Sequence, residues 1–543
     1  MFLRQNGQGQ VTAWVSRGVR SVLRFFGFLV AGAVASGEAP RILPERTEWQ
    51  ETTRSAEVIE HLQWAADSHP RMHLTHFGYS LKGQRLPLLV IGPERAEDAS
   101  AAAVASTDVL RIYLKANIHA GEVAGKEALL RLVREWVQGS RPEWMQDWIL
   151  LVGPNFNPDG NDTIGLSNRI LQLGPIGGMG TRENAQGLDL NRDMMKLDAP
   201  ESRAFTRLMT DWDPHVVVDL HTTNGTEHAY HLTYAPGLHP ATPEAVDRFL
   251  RDELFPDVTA RMEERWGWHT WHYGNVMERN GLEGWWTFDA RPRFVTNYVG
   301  LRGRLAVLSE AYCYLDFRDR VLASERFVES LLEVLHENRS AVKALVEATA
   351  ASARADLVGQ SMPLRGQLPA SPPQATILMG GVDSETHPYT GHPLLRRNDR
   401  LVAVDMPAGI AFEPAHPVQV PQSYVLRADA QIVVELLKAH GLELQAIEPG
   451  STFEASAWIV ESSSTADRPF QGRHEQRVQG SWGSVETVTF DDGGFRLCLH
   501  QDLARLAVLL LEPTSDDGLL NWGFWSDWLG VGKTLPVYRV PVE

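Results

Sequence analysis

His119 and Glu122 stand three residues apart in "IHAGEVAGKEALLRL" (118–132), where an apolar run gives way to a helical pattern. One turn can deliver an imidazole and a carboxylate at that spacing. Both are ligand types of hydrolytic zinc sites, which take three protein donors and leave one position open for water. The chain contains a second His-x-x-Glu, His440 to Glu443, so spacing alone does not identify a site. The remaining chemistry must come from distant segments. His221 closes the apolar run "VVVDLH", and Glu310 closes "LRGRLAVLSE". In open α/β sheets, ligands gather beyond the carboxyl ends of strands. The positions therefore predict that His119, Glu122, His221 and Glu310 converge on one crevice. His440 sits at a predicted helix end with no strand-end histidine after it, and serves as the control. Asp219 faces the same side of its strand as His221 and is either a support for that ligand or a structural charge.

Several elements must position these groups. "LPLLVIG", "RIYLKAN", "WILLVGP" and "VVVDLH" are short apolar runs with β-branched residues, read as strands. Between the second and third, "KEALLRLVREWVQG" carries one apolar face and a glycine stop, read as a helix. "SAEVIEHLQWAA" gives a second helix, and "ERFVESLLEVLHENRSAVKALVEA" a long amphipathic one. Strands alternating with helices predict an α/β fold, a mixed and largely parallel sheet flanked by helices, over residues 55–350. A polar lead-in is expected at 38–54. A Pro- and Ser-rich linker is expected at 351–374, and a β-rich domain of unassigned role at 375–543, with "RLAVLLL" among its short runs and one helix near 428–440.

Five motifs in order carry a resemblance to the zinc carboxypeptidases of the carboxypeptidase A type, over residues 55–345. They are "HAGE" (119–122), "NPDG" (157–160), "RENAQGLDLNR" (182–192), "DLHTTNG" (219–225) and "LSEAY" (308–312). The resemblance implies a metallocarboxypeptidase that binds one Zn2+ per chain through His119, Glu122 and His221, with Glu310 as general base rather than ligand. It makes Arg182 the cation facing the tetrahedral oxyanion, with Arg169 as the rival position. Asn191 and Arg192 match the pair that holds a substrate's terminal carboxylate, a task suited to the guanidinium fork. Asp189 matches the carboxylate behind the first zinc histidine, which fixes its tautomer. For the family's mobile tyrosine, Tyr298 is the expected counterpart and Tyr273 the alternative. The implied partner is a peptide with a free C-terminal carboxylate.

Composition limits the alternatives. The chain has 543 residues, 43% hydrophobic and 22% charged, within the range of folded globular proteins. Its formal charge of −17 argues against a broad nucleic-acid or anionic-membrane surface, which needs clustered Lys and Arg. Residues 1–37 combine four arginines and no acid with "FFGFLVAGAVASG", the layout of a signal peptide, predicting a secreted or periplasmic protein with no membrane association after signal removal. Export makes a peptidoglycan stem peptide a candidate substrate. Two cysteines, Cys313 and Cys498, exclude a disulfide framework. Two other readings compete: a zinc amidohydrolase of small acylated amino acids, and a non-catalytic peptide- or wall-binding protein. Retention of ligands and base together opposes the latter.

Overall fold

The computed structural model describes residues 39–542 apart from residues 224 and 280. The expected signal segment lies outside the described residues. Ten strands form the part that carries the site: β1 (Met72–Tyr79), β2 (Arg85–Ile91), β3 (Leu110–Ala116), β4 (Trp148–Gly153), β5 (Val216–Thr222), β6 (Leu232–Ala235), β7 (Thr270–His272), β8 (Asn275–Arg279), β9 (Leu282–Trp286) and β10 (Leu305–Ala311). Eight of them build one sheet in the order β1-β2-β4-β3-β5-β10-β6-β7. The middle strands β4, β3, β5 and β10 run parallel, while β1, β2 and β6 supply antiparallel pairings. The sheet is thus mixed with a parallel centre, as expected.

Strand alternation sorts the core into two layers. Val216, Val218 and Leu220 of β5 face a layer that includes helices Ser55–Ser68, Ala124–Val137 and Phe317–Glu337. Val217 of β5 and Tyr113 of β3 face the opposite layer, with helix Pro200–Asp211. The long amphipathic helix of the sequence reading is two helices, Phe317–Glu337 and Arg339–Asp356. They break at Asn338, whose backbone leaves the helical region and whose amide donates to the Val334 carbonyl at 2.9 Å.

Beyond residue 350 the structure departs from the expectation of a linker followed by a separate domain. Ser361–Gln367 is a strand paired with Glu413–Gln419, and Gln374–Met379 is another. Strand Val402–Gly409 pairs with β9. "RLAVLLL" lies in a helix, Ala504–Leu511, because alanine and leucine favour helix and every residue from Leu506 to Leu511 is buried. This helix and Gln431–Ala439 belong to the same apolar layer as Tyr113 and Val217. The region after 375 therefore completes one face of the sheet, and residues 39–543 form a single compact unit. Cys313 and Cys498 are both free. Among the described residues, no helix is long and apolar enough to cross a membrane.

Candidate active site

His119 and Glu122 occupy the turn that joins β3 to helix Ala124–Val137, closed by the Glu122 amide donating to the His119 carbonyl at 2.8 Å. Gly121 lies between them. A Cβ there would stand 2.5 Å from Arg169 Cγ and 2.6 Å from the Gly180 carbonyl oxygen, so the position admits only glycine without displacement. His221 lies one residue before the end of β5, and Glu310 is its direct register partner on β10, which puts both side chains on one face of the sheet.

One donor atom from each of His119, Glu122 and His221 lies within 4.8 Å of the others, the one such cluster among the described residues. His119 Nδ1 faces Glu122 Oε1 at 3.0 Å, and His221 Nδ1 faces Glu122 Oε2 at 2.9 Å. The far side of each ring meets a carboxylate. His119 Nε2 donates to Asp189 Oδ1 at 3.0 Å, and His221 Nε2 stands 3.2 Å from Asp219 Oδ2. Those carboxylates leave both Nδ1 lone pairs aimed at the centre. Two imidazole nitrogens and a carboxylate, all buried, are the donor set zinc takes. The residues fit the metal. Asp219 is itself held by Lys115 Nζ, which donates to Oδ1 at 2.7 Å; both side chains are fully buried.

A cleft of about 510 Å³ opens above the cluster, lined by His119, Glu122, Arg169, Arg182, Asn191, Arg192, Tyr273, Phe288, Phe294 and Glu310 among others. Burial is the largest influence on Glu310 and raises its pKa to about 8; Glu122 adds to the rise, while His221, Arg169 and Arg182 oppose it. A divalent cation at the cluster would lower it further. Asp189 behaves oppositely. Burial alone would raise it, but His119 and Arg182 hold it far below the usual carboxylate range.

Both candidate arginines reach the cluster. Arg169 Nη2 donates to Glu122 Oε1 at 2.7 Å, and Arg182 Nε donates to Asp189 Oδ2 at 2.9 Å while its Nη1 lies 3.3 Å from His119 Nδ1. Arg192 Nη1 donates to the Asn191 carbonyl at 2.8 Å, and among the described residues no carboxylate stands within hydrogen-bond distance of it. Its closest carboxylate contact is 3.9 Å, to Asp189, and its guanidinium lies 4.0 Å from the Phe294 ring centroid. Burial depresses its pKa. Asn191 Oδ1 accepts the Val295 amide at 2.8 Å, which pins the Asn191–Arg192 pair to the opposite wall.

Tyr298 is not in the cleft. It is fully buried on helix Val295–Leu301, and its hydroxyl donates to Nδ1 of His440 at 2.9 Å. The helix turns this residue toward the apolar layer shared with the C-terminal region. Tyr273 lines the cleft instead, with its ring against Phe288 and its hydroxyl accepting from Asn275 Nδ2 at 3.3 Å. The control histidine, His440, is a buried helix-end residue that is not part of the His119–Glu122–His221 cluster. Lys115 and the aromatic wall of Phe288 and Phe294 were not singled out in the sequence. Lys115 had one readable signal, its placement two residues after Tyr113 on a strand otherwise apolar.

Residues 58–231 match the family model for zinc carboxypeptidases. The match contains every candidate metal ligand and ends before Glu310. Among curated proteins, carboxypeptidase 2 of Trichophyton equinum is 24% identical over 187 residues, covering 34% of this chain and 31% of the relative. A probable carboxypeptidase 2 of Arthroderma benhamiae is 28% identical over 118 residues, covering 21% of this chain and 19% of the relative. The matched segments thus span less than a third of these relatives. Among solved structures, a metallo-carboxypeptidase from Burkholderia cenocepacia aligns with TM-score 0.38 at 16% identity, over 51% of this chain and 68% of the other. Carboxypeptidase A from Helicoverpa armigera aligns with TM-score 0.40 at 13% identity, over 53% of this chain and 74% of the other.

Proposed function

We propose that the protein is an exported zinc metallocarboxypeptidase that removes the C-terminal residue of peptides. The observation that carries the reading is the meeting of three metal-type donors, a register-paired carboxylate and a weakly compensated arginine in one cleft. His119, Glu122 and His221 would hold one Zn2+ per chain. Bound there, zinc supplies a Lewis acid and lowers the pKa of a coordinated water to about 7.

The chain's own residues do the rest. Arg192 binds the substrate's terminal carboxylate, with Asn191 fixing the backbone beside it; the Phe294 face keeps the guanidinium flat against the wall. Glu310, as carboxylate, takes the proton from the attacking water and delivers it to the amine that leaves. Arg182 and Arg169 provide positive charge beside the ligand cluster for the oxygen of the tetrahedral intermediate, with Arg182 the favoured one because its Nη1 stands over His119. Tyr273 replaces Tyr298 as the phenol that faces substrate.

Export rests on the arginine-rich, apolar N-terminal segment, and makes peptidoglycan stem peptides a substrate class to test. The decisive comparison uses matched peptides that end in a free carboxylate or in an amide. The account expects trimming of the acid and not of the amide. Equal cleavage of both would remove Arg192 from its role. Release of acid from acyl amino acids, with peptides untouched, would favour the amidohydrolase reading.

A further inference from the structure

Both walls of the cleft are irregular backbone. One is the segment 188–198, which carries Asp189, Asn191 and Arg192 and contains only a single helical turn, Leu190–Arg192. The other runs from 287 to 294 and carries Phe288 and Phe294, just ahead of helix Val295–Leu301. Irregular segments hold catalytic geometry only when other groups fix them. Here the fixing groups come from 182 to 282 residues away, in the loop 470–475 of the C-terminal region.

Three contacts from this loop reach the two walls. Gln471 Oε1 accepts the backbone N–H of Asp189 at 2.7 Å. Arg473 grips Asp198 at the other end of the same wall, donating from Nε and Nη2 at 2.7 Å each. Glu475 accepts from Arg293 Nη2 at 2.8 Å on the second wall. Asp517 binds the same arginine through its backbone N–H at 3.0 Å and its Nε at 2.7 Å. The Arg293 guanidinium lies 4.9 Å from the Phe470 ring and 4.7 Å from the Trp522 ring, which are themselves stacked.

The loop is built for these contacts. Phe470 and Arg473 exchange backbone hydrogen bonds of 2.8 and 3.1 Å, and Gln471 at the tip adopts a left-handed φ of 50°. That conformation is costly for a residue other than glycine. It aims the side-chain amide at Asp189. Asp189 in turn is where the site's hydrogen bonds meet: Oδ1 accepts from His119 and from the Asn191 amide at 2.9 Å, and Oδ2 accepts from Arg182.

We propose that the loop 470–475 is a positioning element of the active site, in which Gln471 fixes the Asp189 backbone and thereby the alignment of His119, Arg182 and Arg192. This gives the C-terminal region a part in the chemistry without contact to substrate. It rests on the reading of Asp189 as the holder of a zinc ligand.

The test uses the full chain and three variants. Gln471→Ala and Gln471→Leu remove the acceptor, and Gln471→Glu keeps it. Zinc affinity is measured by competition with a chromogenic chelator, KM with a peptide bearing a free C-terminal carboxylate, and global stability by thermal unfolding. Loss of one hydrogen bond predicts zinc affinity lowered and KM raised by about 3- to 10-fold in the Ala and Leu variants, with Gln471→Glu within about 2-fold of wild type. Ala and Leu variants that match wild type in both zinc affinity and KM would overturn the proposal. So would a Glu variant as impaired as Ala, or losses that simply follow the unfolding temperature across all three. If the wild type binds zinc but hydrolyses no peptide, the proposed activity fails, while the zinc comparison still decides the role of Gln471.

Discussion

At the scale of single residues, the two candidate ligand histidines are oriented by different devices. His119 is held by Asp189 in a loop that also receives Arg182 and Gln471. His221 is held by Asp219 on its own strand, and Asp219 is neutralised by Lys115 on the neighbouring strand. A buried carboxylate without Lys115 would bear its desolvation alone. Removing the charge on Asp219 should weaken the metal, and it also leaves the buried Lys115 ammonium without its counter-charge. Asp219→Asn is expected to lower zinc affinity by about 10- to 100-fold, as loss of an outer partner typically does, with chelator competition as the measurement. An unchanged affinity would make Asp219 a structural charge only. The strand-end positions of His119, His221 and Glu310 were legible because apolar runs with β-branched residues announce strands and polar residues at their ends stand out. Lys115, inside a buried strand, could be paired with Asp219 only once β3 and β5 were known to be neighbours.

At the scale of elements, the His119–Glu122 turn works because Gly121 lets Arg169 and the Gly180 carbonyl close over it. Gly121→Ala brings a Cβ into contact with backbone at Gly180, which cannot yield as a flexible side chain can. The expected outcome is a stability loss of about 1–3 kcal/mol together with a larger loss of metal affinity, read by denaturant unfolding and metal titration on the same preparation. Full metal affinity in this variant would show that the turn tolerates displacement. The sequence identified this turn and the β3–helix junction, yet it misread two other elements. The segment at 361–367 contains a proline and lies in a Pro- and Ser-rich stretch, but Pro363 pairs opposite Pro417 in a two-stranded ribbon where neither is needed as a donor. "RLAVLLL" has no polar face from which to read a period, so its helical state was hidden.

At the scale of the whole molecule, the C-terminal region packs on the sheet that carries the candidate site. Helices Gln431–Ala439 and Ala504–Leu511 cover one face of the sheet, and Tyr298, Arg302 and His440 link the two parts through a chain of hydrogen bonds. Periodicity shows that a helix is amphipathic but not which surface it covers, so the sequence read as two domains what folds as one unit. His440 gives this junction a pH dependence. Its Nε2 donates to the Met195 carbonyl at 3.2 Å while Nδ1 accepts from Tyr298, and burial pushes its pKa from 6.5 down to about 3. The unfolded chain takes up a proton near pH 6.5 that the folded chain refuses until about pH 3. This stability is complete above pH 6.5 and is lost as pH falls from there toward 3, at up to about 1.4 kcal/mol per pH unit. Stability measured by denaturant at neutral and mildly acidic pH should fall more steeply in wild type than in His440→Gln, which keeps one donor and one acceptor. Parallel pH slopes would contradict the assignment.

Glu310 tests the account most directly: it shares a face of the sheet with His221 and lines the cleft, and the proposal makes it base rather than ligand. Zinc content and peptide hydrolysis should be measured side by side in wild type and Glu310→Gln. The account predicts that the variant retains one zinc per chain and loses nearly all turnover. A variant that loses its zinc, or that keeps its turnover, would contradict it.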